Sequence, residues 1–129
     1  MLKEIDTFAK EFLQFAKDKP IRIISHHDTD GITSAAILAK TFQRLDKKFS
    51  IRIVKGLEDS NIKEEIARQP NEVIIFSDLA SSNLDHFKDL EHPVFILDHH
   101  EIDKNKVNSK TKIINHHLYP NSEDNTITG

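Results

Sequence analysis

Apolar positions along this chain recur with two periods, and the period switches repeatedly between them. From Leu2 to about Lys17, the residues Leu2, Ile5, Ala9, Phe12 and Ala16 share one helical face, with Lys and Glu opposite and Pro20 marking the end. Ile21-Arg22-Ile23-Ile24-Ser25 is a short β-branched run, suited to a strand buried on both faces. A helix is predicted from about Gly31 to Leu45, with Ile32, Ala35, Ala36, Ala39 and Phe42 as its inward stripe. The alternation continues with a strand Phe49 to Val54, a helix from near Asp59 to Gln69 and a strand Glu72 to Phe76. Ser82, with Asp85 three residues on, predicts the N-cap of a shorter helix reaching about Leu90, and Pro93 leads into a strand Val94 to Leu97. One more short apolar stretch, Lys112 to Ile114, precedes a tail rich in Asn, Ser, Thr and Asp that has no closing element. Such alternation implies right-handed crossovers, and so an α/β fold. The expected architecture is a doubly wound, Rossmann-like parallel sheet of about four to five strands with helices on both faces.

Composition narrows the chemistry more than the fold. The 129 residues suit one domain, and 37% hydrophobic with 30% charged residues is an ordinary globular balance. With no cysteine, disulfides, thiolate zinc sites and cysteine nucleophiles are excluded, and histidine and carboxylate remain as the strong metal ligands. No apolar run approaches the roughly 20 residues that span a bilayer, and the amphipathic start carries no signal-peptide pattern, so no membrane partner and a cytoplasmic setting are expected. The net charge of −3 argues against a broad basic face for nucleic acid. It leaves a nuclease open, because divalent ions held by acidic ligands supply the local positive charge that phosphate needs.

In an open parallel sheet, ligands bind beyond the carboxyl ends of the strands. The first strand ends in Ser25-His26-His27-Asp28-Thr29-Asp30-Gly31, the third in Ser77-Asp78 and the fourth in Asp98-His99-His100. Taken singly, an Asp at a strand end is an N-cap and Asp-x-Asp a solvated turn. Three strand ends carrying carboxylate or imidazole together point instead to a site. The ligand set suits manganese, magnesium or zinc. Two such ions about 4 Å apart would share a carboxylate, activate a water and clamp phosphoryl oxygens in line. Asp78 is the natural bridge: if the third strand lies beside the first, its carboxylate faces Asp28 and Asp30.

Ser25 to Ser34, the Ile74-Ile75-Phe76-Ser77-Asp78 strand end and Phe95-Ile96-Leu97-Asp98-His99-His100 resemble motifs I, II and III of the DHH phosphoesterase superfamily. The Asp30-Gly31-Ile32-Thr33-Ser34 continuation and the late Ile113-Ile114-Asn115-His116-His117 stretch look most like archaeal RecJ-like single-strand nucleases. The resemblance implies that Asp28 and Asp78 hold one divalent ion and Asp30, Asp78 and His99 the other, with manganese the expected metal and magnesium the alternative. It also implies that Asp98 orients the imidazoles and that His100 contacts the substrate phosphate. In several branches the motif I histidine lies four residues before the first aspartate, which here is Ile24, so His26 is the candidate ligand and His27 the alternative. Residues 1–129 would then be the N-terminal portion of a DHH domain, without the fourth motif and the C-terminal substrate-binding domain. Asp124, in the polar tail with no strand before it, is not a replacement for the fourth-motif ligand.

The expected function is hydrolysis of single-stranded DNA or RNA phosphodiesters by a two-metal-activated water. Two other readings belong to the same resemblance. One is an accessory partner of the replicative helicase among the replisome proteins, disfavoured because inactive members tend to lose ligands kept here. The other is a small-molecule phosphatase, disfavoured by the Gly31-Ile32-Thr33 run.

Overall fold

Bounded β-branched runs become strands and the segments between them become crossovers. The computed structural model describes residues 1–58 and 62–119. In chain order the elements are α1 (Leu2–Phe15), β1 (Ile21–His26), α2 (Thr29–Arg44), β2 (Phe49–Val54), α3 (Ile62–Ile66), β3 (Val73–Ser77), β4 (Val94–Leu97) and β5 (Thr111–Ile114). The five strands form one wholly parallel sheet in the order β2-β1-β3-β4-β5. Strand order reverses between β1 and β3, so these neighbours flank the switch point at which such sheets bind ligands. The expected doubly wound architecture is therefore present, with Lys112 to Ile114 belonging to the fifth strand.

Side-chain alternation along the strands feeds two cores. On one face Ile21, Ile23, Val73, Ile75 and Phe95 pack under α1 and α2 with Phe12, Ala16, Ala35 and Phe42. On the other Ile24, Val54, Ile74, Phe76, Val94 and Ile96 pack with Leu57, Leu79, Leu84 and Phe87, and with Ile62 and Ile66 of α3.

Several helical expectations are corrected. In α1, Leu2 and Ile5 are exposed (78% and 43%) and Ala9 faces solvent. Phe12 and Ala16 of the expected face are buried and Phe8 packs beside them, the rings of Phe8, Phe12 and the partly exposed Phe15 lying 5.4, 5.1 and 5.9 Å from that of Phe95, because aromatic burial outweighs that of the smaller residues. In α2 the inward stripe is Gly31, Ala35, Leu38 and Phe42, while Ile32 is 54% exposed and Ala36 lies outside. The expected helix from Asp59 to Gln69 is a single turn at Ile62–Ile66 followed by tight turns; its expected first residues, 59–61, lie outside the described residues, as does Asp124. The expected helix from Ser82 to Leu90 is only a 3₁₀ turn, Leu84–His86, and Ser82 does not cap it. Leu84 and Phe87 are both buried at a spacing of three, which the three-residue repeat of a 3₁₀ turn aligns on one side.

No sequence pattern marked the buried charge under α3. Glu65 is fully buried, with Arg52 Nη1 at 2.5 Å, Arg68 Nε at 3.6 Å and Arg22 Nε at 3.8 Å, and Arg22 and Arg68 also reach Glu72. This cluster fastens α3 to β1 and β2, with Arg22 near the start of β1 and Arg52 farther along β2, level with Ile24.

Candidate metal centre

Three consecutive strands, β1, β3 and β4, deliver the acidic and imidazole side chains to one end of the sheet. After β1 the chain turns straight into α2. Asp28 is the helix N-cap, its Oδ1 accepting from the Gly31 N–H at 2.9 Å. The helix thus starts at Thr29, two residues before the expected position, and Asp30 lies in its first turn. Gly31 is there because of contact rather than backbone angle: a Cβ at this position would lie 2.0 Å from the His26 carbonyl oxygen. Ser25 Oγ reinforces the joint, lying 2.7 Å from the Gly31 carbonyl and 2.9 Å from that of Ser77.

After β3 the backbone leaves the regular strand. Asp78 (φ 62°) and Ala80 (φ 89°) are both left-handed without being glycine, a strained pair of the kind found where a side chain must be aimed. The Asp78 N–H donates to the Leu97 carbonyl at 2.8 Å, which fixes the turn against β4. Asp78 is only 5% exposed. Its Oδ1 lies 2.7 Å from His99 Nε2, and its Oδ2 is buried without a hydrogen bond. His26 Nδ1 is 3.8 Å from that Oδ2 and 2.9 Å from Asp28 Oδ2, without the alignment of a hydrogen bond to either.

After β4, N–H groups engage both oxygens of Asp98. Its Oδ1 accepts from the His99 backbone at 2.8 Å and from His100 Nδ1 at 2.5 Å, and its Oδ2 accepts from the Ser81 N–H at 3.2 Å. Burial works against a charged His100, but the hydrogen bond and charge of Asp98 outweigh it and hold its pKa above the ordinary histidine value.

The ligand atoms fall into two groups, each mutually within 4.8 Å: His26, Asp28 and Asp78, and Asp78, Asp98, His99 and His100. Asp78 belongs to both. Asp30 lies at the rim, its Oδ2 3.9 Å from His99 Nε2, and joins neither group. His27 is exposed, its ring edge-on to His26 at 4.6 Å, so it is His26 that faces the carboxylates. The residues fit a divalent cation on two counts: the donor set is carboxylate and imidazole, and a buried carboxylate oxygen at its centre lacks a hydrogen-bond donor. Electrostatics agree. The Gly31 N–H above all, with the nearby His26 adding to it, lowers Asp28 to about 2, whereas burial and the Asp28 carboxylate push Asp78 up. Such an acid pair is relieved when a cation lies between its members. Beside the site a cleft of about 460 Å³ runs between α2 and the sheet, with Ile37, Leu38, Leu97 and Ile114 among its lining.

Residues 20–128 match the DHH family, N-terminal domain. Over 105 residues the chain is 36% identical to an uncharacterized protein of Methanocaldococcus jannaschii, a match that covers 77% of this chain and 24% of that protein. Among solved structures, exonuclease RecJ bound to manganese has the same fold with a TM-score of 0.74 at 20% identity, over 92% of this chain and 32% of that one. RecJ in complex with Mn2+ from Thermus thermophilus gives 0.71 at 20% identity, over 94% and 18%. CDC45 from Entamoeba histolytica gives 0.68 at 20% identity, over 88% and 24%. The chain therefore spans about a third or less of each of these proteins. At 20% identity the likeness is one of fold, and it is the family match, running from the residue before β1 past the end of β5, that decides membership. This chain belongs to the DHH family.

Proposed function

We propose that the chain forms the metal-binding part of a metal-dependent phosphoesterase that hydrolyses phosphodiesters of single-stranded DNA or RNA. The observation that carries this reading is the sharing of Asp78 between two groups of candidate ligands. A carboxylate with one oxygen turned toward His26 and Asp28 and the other toward His99 suits a bridge between two divalent ions, manganese in the first instance and magnesium as the alternative. His26, Asp28 and Asp78 would hold one ion; Asp78 and His99 would hold the other, with Asp30 swinging in from the rim. When bound, such ions polarise phosphoryl oxygens and supply a water nucleophile at neutral pH.

The remaining residues bind and orient. Both oxygens of Asp98 are engaged by N–H groups, so it would act on its neighbours, fixing the His99 backbone and the His100 ring. With Nδ1 bonded to Asp98, His100 presents Nε2, and a protonated ring there can donate to a phosphate oxygen.

Incubating the protein with end-labelled single-stranded DNA and RNA and Mn2+, beside Asp78→Ala, tests the proposal. Metal-dependent shortening by the wild type and a loss on the order of a hundredfold or more in the variant are expected, since a bridging ligand serves both ions. Equal hydrolysis by both would sink it. The fold shared with CDC45 favours a second reading, an accessory partner of the replicative helicase among the replisome proteins. Co-purification with helicase subunits in the absence of any metal-dependent turnover would replace the first reading with this one.

A further inference from the structure

Asn115 joins the separate pieces of the metal centre, although it carries no charge and is 1% exposed. It follows the last residue of β5, and its amide orientation is fixed by two backbone groups with one role each. The His117 N–H can only donate, so Oδ1 accepts from it at 3.0 Å; the His100 carbonyl can only accept, so Nδ2 donates to it at 2.8 Å. The second Nδ2 hydrogen goes to Ser81 Oγ at 3.0 Å. Every polar group of this buried side chain is thereby used.

The three partners lie on three different strand-end loops. Ser81 closes the turn after β3 that begins with the left-handed Asp78 and Ala80. His100 belongs to the loop after β4, and His117 to the turn after β5, from which its own Nε2 reaches the His99 carbonyl at 3.1 Å. The bonds also close a ring: Asn115 to Ser81, the Ser81 N–H to Asp98, Asp98 to His100 Nδ1, and the His100 carbonyl back to Asn115. A turn strained at two non-glycine residues persists only where its surroundings hold it. Here one end is held by the bond from Asp78 to Leu97, and the other by Ser81 within this ring.

We propose that Asn115 is a positioning residue for the metal centre: through Ser81 and His100 it sets the separation between the Asp78 carboxylate and the His99 imidazole at which both ligate one ion. The inference rests on the metal-binding reading above. An alternative exists in which Asn115 only stabilises the fold, and the two separate cleanly. Asn108 is another side chain that caps backbone groups, accepting from the Lys110 N–H at 2.9 Å, but it does so at the opposite end of β5. Asn108→Ala therefore reports a structural loss alone.

The test compares Mn2+ affinity, by calorimetry, in the wild type, Asn115→Ala, Asn115→Asp, Ser81→Ala and Asn108→Ala, with imidazole NMR of each metal-free protein. Asn115→Ala is expected to weaken Mn2+ binding by roughly ten- to a hundredfold, as loss of a residue that orients ligands does. Asn115→Asp should do the same, because it sets a carboxylate oxygen against the His100 carbonyl. Ser81→Ala, which keeps its N–H bond to Asp98, should lose several-fold and carries the test if the Asn115 variants do not fold. The His99 and His100 ring signals should move in these variants and stay in place in Asn108→Ala. Folded variants that bind Mn2+ as tightly as the wild type, with unmoved His99 signals, overturn the inference alone. A wild type that takes up no Mn2+ overturns the metal-centre reading and this inference with it.

Discussion

At the scale of single residues, Gly31 shows how closely the candidate site is fitted to its scaffold. The 2.0 Å approach that a Cβ would make is to a backbone oxygen, with the His26 carbonyl carbon next at 2.6 Å, so no side-chain rotation can relieve it. Either β1 or the first turn of α2 must move, and that turn carries Asp28 and Asp30. Gly31→Ala is accordingly expected to lower stability by about 2–3 kcal/mol, the upper part of the overpacking range. It should also weaken Mn2+ binding, because His26 and Asp28 lie on either side of the displaced joint. Gly56, where an added Cβ meets nothing within 4 Å, is the internal control, and Gly56→Ala should stay within about 0.5 kcal/mol of the wild type. Urea unfolding with a parallel Mn2+ titration checks both. A Gly31→Ala protein as stable as the Gly56→Ala one would contradict the close packing described.

At the scale of elements, α3 is a single turn whose place against the sheet is set by charge as much as by Ile62 and Ile66. Removing Glu65 leaves Arg22, Arg52 and Arg68 facing one another, and breaking a buried pair by deleting one partner costs about 3–5 kcal/mol. Glu65→Ala should therefore destabilise by about 3 kcal/mol in guanidinium unfolding. Its folded form should still bind Mn2+ normally, since Glu65 and its arginines belong to neither group of candidate ligands. A proportionate loss of metal affinity would show that the cluster and the acidic strand ends are coupled. This cluster also marks the limit of what the sequence makes legible. Asp28, Asp78 and Asp98-His99-His100 stand out because each follows its own apolar strand, a pattern readable within a few residues. Glu65 draws its partners from two strands and a following turn, and Asn115 binds loops 15 and 34 residues away, so neither has a local signature. Asn115 does share one trait with the acids that were legible, a polar residue directly after an apolar strand. Helix extent was legible only in part: alternation placed the crossovers, but the segment around Leu84 has a spacing that suits a 3₁₀ turn as well as a helix.

At the scale of the whole molecule, the order β2-β1-β3-β4-β5 is what turns three separate motifs into one site. It sets β3 between β1 and β4, so the Asp78 carboxylate is flanked by Asp28 and His26 on one side and by His99 on the other. The arrangement works against the metal-free fold. Asp78 is almost wholly buried beside the Asp28 carboxylate, and two such groups cannot both carry charge comfortably. Stability and the proposed function are thus opposed at this residue, as at other sites where binding needs an unfavourable group. Two consequences can be measured in one set of melts. For the wild type, Mn2+ at about a hundred times its dissociation constant should add about 2.7 kcal/mol, which for a chain of this size raises the melting temperature by roughly 10 °C. Asp78→Asn keeps the shape but removes the charge, so its metal-free form should be more stable than the wild type, by about 1 kcal/mol, and should gain almost nothing from Mn2+. Excess chelator should return the wild type to its metal-free melting temperature and leave the variant unmoved. If Mn2+ stabilised both proteins equally, the ion would be binding elsewhere on the surface, and Asp78 would be a buried acid with another purpose.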